Sequence, residues 1–294
     1  MIKMTVPVAI VGCGDIGLRI AGKQDESTQI SAIVASKSSK QRLENLGMDV
    51  QQIDLEQQVN AADCPEIFSE CIYYLVPPQK EGVQDLRSRN FLNYLRQQDA
   101  ISGLPRRIVL ISTTGVYGDC AGDWVNEQTS VSPGTQRGQR RLDMEQQWLA
   151  YADDHGHILS ILRVPGIYSH SRLPRERLLR REPVVDPKEC GYTNRIHADD
   201  LAMICIGVMQ QQKKTDIYNV ADGIPGTISD YLLSAAKVLD IPVPPIISMQ
   251  EAQSCLSSGM LSYLRESRRI DNSKLFSQFD LTLQYPDYRM GMKF

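Results

Sequence analysis

Short, mainly apolar runs recur along the chain as far as residue 221, and each is about as long as one β-strand. Such runs are typical of strands that are buried on both faces of a sheet. The predicted strands are Val6–Val11, Ile30–Ala35, Ile72–Val76, Ile108–Ile111, Ile158–Val164 and Ile217–Ala221. Between them, apolar residues at helical spacing predict helices near 16–21, 83–95 and 142–152. This alternation predicts a parallel sheet with right-handed crossovers.

The pattern changes after Pro165, where prolines become frequent and five arginines fall between Arg172 and Arg181. We therefore expect a first domain over residues 1–165 and a smaller second lobe over residues 166–294. A predicted strand within the second part indicates that a segment near 190–221 returns to the first domain.

A glycine-rich turn follows the first predicted strand and precedes the first predicted helix. Gly12, Gly14 and Gly17 form a Gly-x-Gly-x-x-Gly motif that also contains Asp15 and Ile16. In this context the glycines permit a tight turn, the approach of a pyrophosphate and close packing of helix on strand. The N–H groups at the start of the helix favour phosphate. We therefore expect these five residues to bind a dinucleotide, the alternative being a tight turn without a ligand.

The end of the second predicted strand distinguishes NAD from NADP, because an NAD site usually has an acidic residue there for the ribose hydroxyls. Residues 36–42 contain serines, lysines and an arginine but no acid. Hydroxyl groups and cations donate hydrogen bonds to a 2′-phosphate. We therefore expect NADP, in contact with Ser36, Lys37 and Ser38. NAD binding, with these residues in a solvated basic loop, is the alternative.

Seven parts of the chain, in one order, carry a family resemblance. They are Gly12–Gly17, Asp54–Leu55, Ser112–Gly118, Leu162–Tyr168 with Arg172 beyond it, Arg195–Ala202, Tyr218–Asp222, and the ending Arg269–Leu275 with Tyr285–Arg289. Together they resemble the extended and atypical short-chain dehydrogenase/reductase superfamily, and within it the NAD(P)-dependent epimerase/dehydratase family. The resemblance implies an α/β fold with a doubly wound parallel Rossmann sheet, which would be the NAD(P)-binding domain, and a smaller C-terminal substrate-binding lobe. It also implies cofactor contacts from Asp54, Leu55, Pro77, Arg141 and Pro165.

The family's chemistry uses a hydroxyl residue, a tyrosine that transfers the proton and a lysine that holds the nicotinamide ribose. By position, Thr113 takes the hydroxyl role, with Thr114 beside it as a substrate contact. Arg137 stands in place of the tyrosine and Arg141 in place of the lysine. Arg141 retains donors for a ribose, whereas the guanidinium of Arg137 stays protonated and cannot transfer the proton.

The missing proton donor has several candidate replacements. Tyr168 is the first of them, because it follows a strand on the expected cleft side. The others are Tyr73, Tyr74, Tyr192 and His197. Each of these side chains also fits a packing role with a satisfied polar atom. The resemblance further implies substrate contacts from Arg172 and His197, although the arginines near Arg172 also fit a solvated helix face.

Composition narrows the class of protein. The chain has 294 residues, 42% of them hydrophobic and 23% charged, with a net charge of −3. These values are typical of a globular protein and do not indicate a partner such as nucleic acid or a membrane. The seven cysteines contain no Cys-x-x-Cys pair, which argues against a zinc site and a disulfide framework and favours a reducing cytoplasm. A two-fold homodimer is the default assembly.

Two functions follow from these observations. The first is an NAD(P)-dependent oxidoreductase, epimerase or dehydratase that acts on a hydroxyl-bearing sugar-like or nucleotide-linked small molecule, with an atypical active site. The second is a non-catalytic NADP(H)-binding sensor or regulator. Thr113 favours the enzyme, whereas the replacement of the tyrosine by Arg137 favours the sensor.

Overall fold

The computed structural model describes residues 6–59, 69–102 and 106–293 of the chain. Its strands are β1 Val8–Val11, β2 Ile30–Val34, β3 Asp49–Gln52, β4 Cys71–Tyr74, β5 Arg107–Thr113, β6 Trp124–Val125, β7 Ile158–Val164, β8 Gly166–Tyr168, β9 Val184–Val185, β10 Tyr192–Thr193, β11 Arg195–His197, β12 Asp216–Asn219, β13 Gly226–Thr227, β14 Ile246–Ile247 and β15 Arg269–Ile270. Its α-helices are α1 Asp15–Ala21, α2 Lys37–Glu44, α3 Leu86–Ser102, α4 Gln136–His155, α5 Arg175–Leu179, α6 Ala198–Gln211, α7 Ile228–Val238, α8 Met249–Cys255, α9 Ser258–Leu264, α10 Ser273–Gln278 and α11 Tyr288–Gly291.

A seven-stranded parallel sheet organises the larger part of the chain, in the order β12-β7-β5-β4-β1-β2-β3. Val8 of β1 lies opposite Ile30 of β2 on one side and Cys71 of β4 on the other. Every residue of β1 and β4 is buried, as expected for strands covered on both faces. The predicted α/β class with a doubly wound Rossmann sheet is therefore confirmed. Because the strand order reverses between β1 and β4, a crevice is expected at their carboxyl ends.

The strand β3 is the element of this sheet that the apolar runs do not predict. Its sequence is Asp49-Val50-Gln51-Gln52, and only Val50 is buried. β3 lies at the edge of the sheet and pairs with β2 alone. An edge strand needs less apolar surface than a central one, so its sequence carries a weaker signal.

An aromatic core packs α3 and α4 against the sheet. The ring of Tyr74 in β4 lies 4.7 Å from Trp148 of α4 and 5.4 Å from Phe91 of α3, measured between centroids. The indole N–H of Trp148 donates to Ser88 Oγ at 3.1 Å. Burial of large aromatic side chains with a satisfied polar atom stabilises the packing of both helices.

The chain divides into two compact units that interleave along the sequence. Unit 1 consists of Met1–Thr113, Gln136–Arg163 and Leu201–Tyr218, and it holds the central sheet. Unit 2 consists of Thr114–Thr135, Val164–Asp200 and Asn219–Phe294. Its strands form the pairs β6–β15, β8–β11, β9–β14 and β10–β13. In the described part of the chain, no helix has both the length and the apolarity to cross a membrane.

Candidate functional site: a cavity in unit 1

The three glycines of the turn after β1 differ in what surrounds them. Gly12 has a φ of +84°, and a Cβ there would come within 3.0 Å of the backbone nitrogen of Val76. A Cβ on Gly17 would lie 3.0 Å from Ile10, so that α1 packs closely on β1. A Cβ on Gly14 would meet no atom within 4 Å. Gly12 and Gly17 therefore shape the turn, while Gly14 leaves open space for a ligand to approach the backbone.

A cavity of about 490 Å³ lies beside this turn. Its lining residues are Val11, Gly12, Cys13, Gly14, Ile33, Val34, Ala35, Ser36, Ser39, Arg42, Ile53, Asp54, Leu55, Glu56, Val76, Pro77 and Arg87. Most of them lie at the carboxyl ends of β1, β2, β3 and β4 or just beyond, which is where the strand order predicts a ligand, while Ser39 and Arg42 lie on α2 and Arg87 on α3.

The cavity brings together part of the predicted cofactor site. The predicted residues that line it are Gly12, Gly14, Ser36, Asp54, Leu55 and Pro77. The predicted residues that do not line it are Asp15, Ile16, Gly17, Lys37, Ser38, Arg141 and Pro165. Asp15 forms an ion pair with Arg19 on the same helix, with Nε and Oδ1 3.0 Å apart.

At the end of β2, hydroxyl groups and a guanidinium line the cavity. Ser36 caps α2, and its Oγ accepts from the backbone N–H of Ser39 at 3.2 Å. The hydroxyls of Ser36 and Ser39 are 2.9 Å apart. Arg42 follows Ser39 by three residues and lines the same cavity, whereas Lys37 is exposed. The predicted segment 36–42 contains Ser39 and Arg42, but the contacts named within it are Ser36, Lys37 and Ser38. The cap at Ser36 and helical spacing would have singled out Ser39 and Arg42.

The turn after β3 forms another wall of the cavity. Asp54 Oδ1 accepts from the backbone N–H of Glu56 at 3.0 Å, and Leu55 is buried. Asn90 of α3 donates from Nδ2 to the carbonyl of Leu55 at 3.0 Å. Arg87, also on α3, donates from Nη1 to the carbonyl of Pro77 at 2.9 Å and forms an ion pair with Glu56. The sequence carries no signal for Arg87, because its role depends on where α3 begins.

The hydroxyl residues at the carboxyl end of β5 have different surroundings. Thr113 is the last residue of β5 and is half-buried. The adjacent Ser112 donates from Oγ to Glu145 Oε1 at 2.5 Å, and Arg163 pairs with the same carboxylate at 2.8 Å. This buried network ties α4 to β5 and β7, while Thr113 lies beside it.

The two arginines at the positions of the family's tyrosine and lysine also differ. Arg137 is exposed near the start of α4. Arg141 is half-buried and donates from Nη1 to the carbonyl of Ile111 in β5 at 3.1 Å. Burial lowers the pKa of Arg141, and the nearby Asp85 opposes that shift. The guanidinium of Arg141 is thus anchored on β5, whereas that of Arg137 is at the surface.

Tyr168 and His197 lie opposite each other on β8 and β11 in the interior of unit 2. Their relative exposures are 0% and 1%. The centroids of their rings are 5.1 Å apart, and the ring of Tyr285 lies 3.9 Å from that of His197. Burial raises the pKa of Tyr168, and the carboxylate of Asp222 adds to the shift. A Cβ on Gly291 would come within 2.7 Å of the Tyr168 hydroxyl, so the chain also encloses this phenol on that side.

The other candidate residues vary in accessibility. Thr114 is buried, whereas Arg172 is exposed. Tyr73 and Tyr74 are fully buried in β4, and burial raises the pKa of both. Tyr192 is 43% exposed. The roles expected for these residues stay predictions.

Comparisons with known proteins identify the fold. No family model and no curated protein matches the sequence. Among solved structures, a functionally unknown conserved protein from Silicibacter pomeroyi is 24% identical, with a TM-score of 0.78 over 98% of this chain and 97% of that chain. The UDP-N-acetylglucosamine 4-epimerase from Bacillus cereus is 14% identical, with a TM-score of 0.72 over 98% and 94%. The dTDP-glucose 4,6-dehydratase from Bacillus anthracis, in complex with NAD, is 14% identical, with a TM-score of 0.74 over 98% and 94%.

At these identities the comparisons show a shared fold. The neighbours include epimerase and dehydratase structures, so the resemblance that the sequence motifs carry is confirmed at the level of the fold. The alignments extend over almost the whole chain, and therefore cover both units.

Proposed function

We propose that the protein binds a nicotinamide dinucleotide in the cavity of unit 1, and prefers NADP(H) to NAD(H). The lining of this cavity carries the proposal, because the glycine turn, the Asp54-Leu55 pair and the hydroxyl and guanidinium groups after β2 meet there. A volume of about 490 Å³ is in the usual range for small-molecule sites. The dTDP-glucose dehydratase of the same fold holds NAD, which supports a dinucleotide in this chain as well.

The lining residues fit the parts of such a ligand. The open space at Gly14 admits a pyrophosphate close to the backbone. Leu55 offers an apolar surface to the adenine, and Asp54 offers a carboxylate beside it. Ser36, Ser39 and Arg42 present donors for a 2′-phosphate, and the segment from 36 to 42 contains no carboxylate that would repel it.

The reaction that we propose is hydride exchange at a hydroxyl-bearing carbon of a sugar-like or nucleotide-linked small molecule. The nicotinamide ring supplies the hydride chemistry when it is bound. Thr113 would orient the reacting oxygen, and Arg141 would donate to the ribose of the cofactor. Arg137 would hold an anionic group of the substrate, since its guanidinium cannot exchange a proton at neutral pH.

The burial of four of the five alternative proton donors, all except Tyr192, favours a second candidate function. Tyr73, Tyr74, Tyr168 and His197 each have a relative exposure of 1% or less. None of these four groups reaches solvent, so none is available to a substrate in this conformation. A protein with this site would bind the dinucleotide without turnover and act as a sensor of its concentration or redox state.

A titration with NADPH and NADH, followed by nicotinamide fluorescence, tests the cofactor proposal. We expect the wild type to bind NADPH at least about tenfold more tightly than NADH, because the 2′-phosphate gains charge-assisted hydrogen bonds. Arg42→Glu should remove this preference, because it places a negative charge beside the 2′-phosphate. Lys37→Glu is the matched control, since Lys37 lies on the same helix but does not line the cavity.

The outcomes of the titration separate the parts of the proposal. Equal affinities of the wild type for NADPH and NADH would contradict the NADP preference alone. A loss of preference in Lys37→Glu but not in Arg42→Glu would move the 2′-phosphate contact to Lys37. Absence of binding to either dinucleotide would refute the proposed function.

A turnover assay separates the enzyme from the sensor. Purified protein with bound NADP⁺ or NADPH is mixed with a panel of nucleotide sugars, and nicotinamide absorbance is followed. Turnover by the wild type supports the enzyme. Turnover only in a variant that combines Arg137→Tyr with Arg141→Lys supports the sensor, because the two replaced side chains would then account for the missing activity.

A further inference from the structure

The two ends of the proposed dinucleotide cavity are not joined by strand pairing. One wall is the turn Asp54–Glu56 after β3, and another is Val76–Pro77 after β4. In the sheet, β1 and β2 lie between β4 and β3. At the usual spacing of strands, β3 and β4 are roughly 14 Å apart. The sheet therefore connects these two walls only through two intervening strands, and no direct ladder of hydrogen bonds joins them at the mouth of the cavity.

Arg87 joins the two walls directly. Its guanidinium donates from Nη1 to the carbonyl of Pro77 at 2.9 Å, and its other terminal nitrogen forms an ion pair with Glu56. The side chain is itself a lining residue of the cavity and is 25% exposed. A guanidinium presents donors in several fixed directions in one plane, so that a single arginine holds two acceptors at a defined separation.

The start of α3, which carries Arg87, is itself fixed by hydrogen bonds. The backbone N–H of Arg87 donates to Asp85 Oδ1 at 3.0 Å, at the start of α3. One turn further along the same helix, Asn90 donates to the carbonyl of Leu55 at 3.0 Å. The helix α3 therefore fixes the turn after β3 at two points, Leu55 through Asn90 and Glu56 through Arg87.

We propose that Arg87 is a positioning residue for the dinucleotide, which clasps Glu56 to Pro77 and holds the two walls of the cavity at the separation that the ligand requires. The inference rests on the proposed function. The guanidinium acts by preorganising the walls, so that ligand binding does not have to order the turn after β3. The charge of Arg87 is already neutralised by Glu56. Arg87 therefore holds the two walls together, whereas the phosphate-binding role is assigned to Arg42.

A double-mutant cycle tests the clasp with the full-length protein and NADPH. We expect Arg87→Met to raise the Kd for NADPH about tenfold and Glu56→Gln to raise it by less, since the contact with Pro77 remains. The double variant should bind like Arg87→Met alone, because Glu56 has no ion pair left to lose once the guanidinium of Arg87 is removed. Arg87→Lys should recover part of the affinity, as one ammonium can pair with Glu56 but does not reproduce the planar fork.

Arg89→Met is the matched control. Arg89 lies on the same helix, is exposed and does not line the cavity. It should leave the Kd for NADPH unchanged. The thermal midpoint of each ligand-free variant should stay near that of the wild type, whereas a merely structural role of Arg87 would lower it together with the affinity.

The remaining outcomes are distinct. Tighter binding by Glu56→Gln, with additive effects in the double variant, would overturn the clasp and indicate that Arg87 contacts a phosphate directly. Equal affinities of Arg87→Met and the wild type would also overturn it. Failure of the wild type to bind NADPH would instead refute the proposed function.

Discussion

Two glycines in the turn after β1 have different expected roles, Gly12 in the stability of the fold and Gly14 in the binding of the ligand. A side chain at Gly12 would be strained twice, by its φ of +84° and by contact with the backbone of Val76. A side chain at Gly14 would enter open space. We therefore expect Gly12→Ala to lower the free energy of unfolding by about 1–2 kcal/mol. Gly14→Ala should leave that energy unchanged and weaken NADPH binding, because the methyl group occupies the path of the pyrophosphate.

Denaturant unfolding and NADPH titration of both variants check this pair of predictions. Gly259→Ala is a suitable control, since a Cβ there also meets open space but Gly259 does not line the cavity. Normal NADPH affinity in Gly14→Ala would place the ligand elsewhere.

The sequence predicts the residues of the site whose role is local and misses those whose role depends on distant packing. Gly12 and Gly14 are predicted because the turn, the preceding strand and the following helix are adjacent in the chain. Arg42 lies outside the named contacts although its signal is local, since the cap at Ser36 sets where α2 begins and helical spacing then places Arg42 near Ser39. Arg87 depends on the docking of α3 over the ends of β3 and β4, which no local pattern encodes.

At the scale of elements, one buried carboxylate joins helices to strands at the end of unit 1 opposite the cavity. Asp99 of α3 accepts from Arg106 Nε at 2.9 Å and from the hydroxyl of Tyr151 in α4, and it lies 3.2 Å from His157 Nε2. Burial opposes the charged form, but the hydrogen bonds from His157 and Tyr151 and the charge of Arg106 outweigh it. Together they lower the pKa of Asp99 to about 2.

Because the folded pKa of Asp99 lies below its unfolded value of 3.8, its contribution to stability is complete above pH 3.8 and is lost as the pH falls through about 2. Asp99→Asn should lower the free energy of unfolding at pH 7 by about 3 kcal/mol, since it removes the charge of the buried carboxylate that pairs with Arg106. Denaturant unfolding between pH 2 and pH 7 checks this, with Asp154→Asn on the exposed face of α4 as the control. A variant as stable as the wild type at pH 7 would contradict it.

Sequence patterns predict the strands of the central sheet better than the short strands of unit 2. Apolar runs predicted the central strands β1, β2, β4, β5 and β7, because central strands must exclude water on both faces. They also predicted β12, although it lies at an edge of the sheet. The short strands of unit 2 have two or three residues each and pair in twos, so they contain too few positions for a period to be recognised.

At the scale of the whole molecule, the two units carry buried carboxylates with opposite responses to pH. Asp99 in unit 1 is stabilised in its charged form, whereas burial raises the pKa of Asp222 in unit 2 to about 7, with a further contribution from Asp287. Asp222 accepts from the backbone N–H of Ile224 at 3.1 Å. A folded pKa above the unfolded value of 3.8 means that stability is greatest at low pH and falls as the pH rises towards about 7.

We therefore expect unit 2 to lose roughly 3 kcal/mol of stability between pH 5 and pH 8, and Asp222→Asn to remove this dependence, because asparagine does not ionise. Asp123→Asn, at an exposed position in unit 2, should show the same change of unit 2 stability with pH as the wild type. Hydrogen exchange of unit 2 amides at several pH values measures the effect separately from unit 1. If the stability of unit 2 in Asp222→Asn still fell with pH as in the wild type, a group other than Asp222 would cause the fall. Because Asp99 stabilises unit 1 across the same range, a fall confined to unit 2 would show that the two units respond to pH independently.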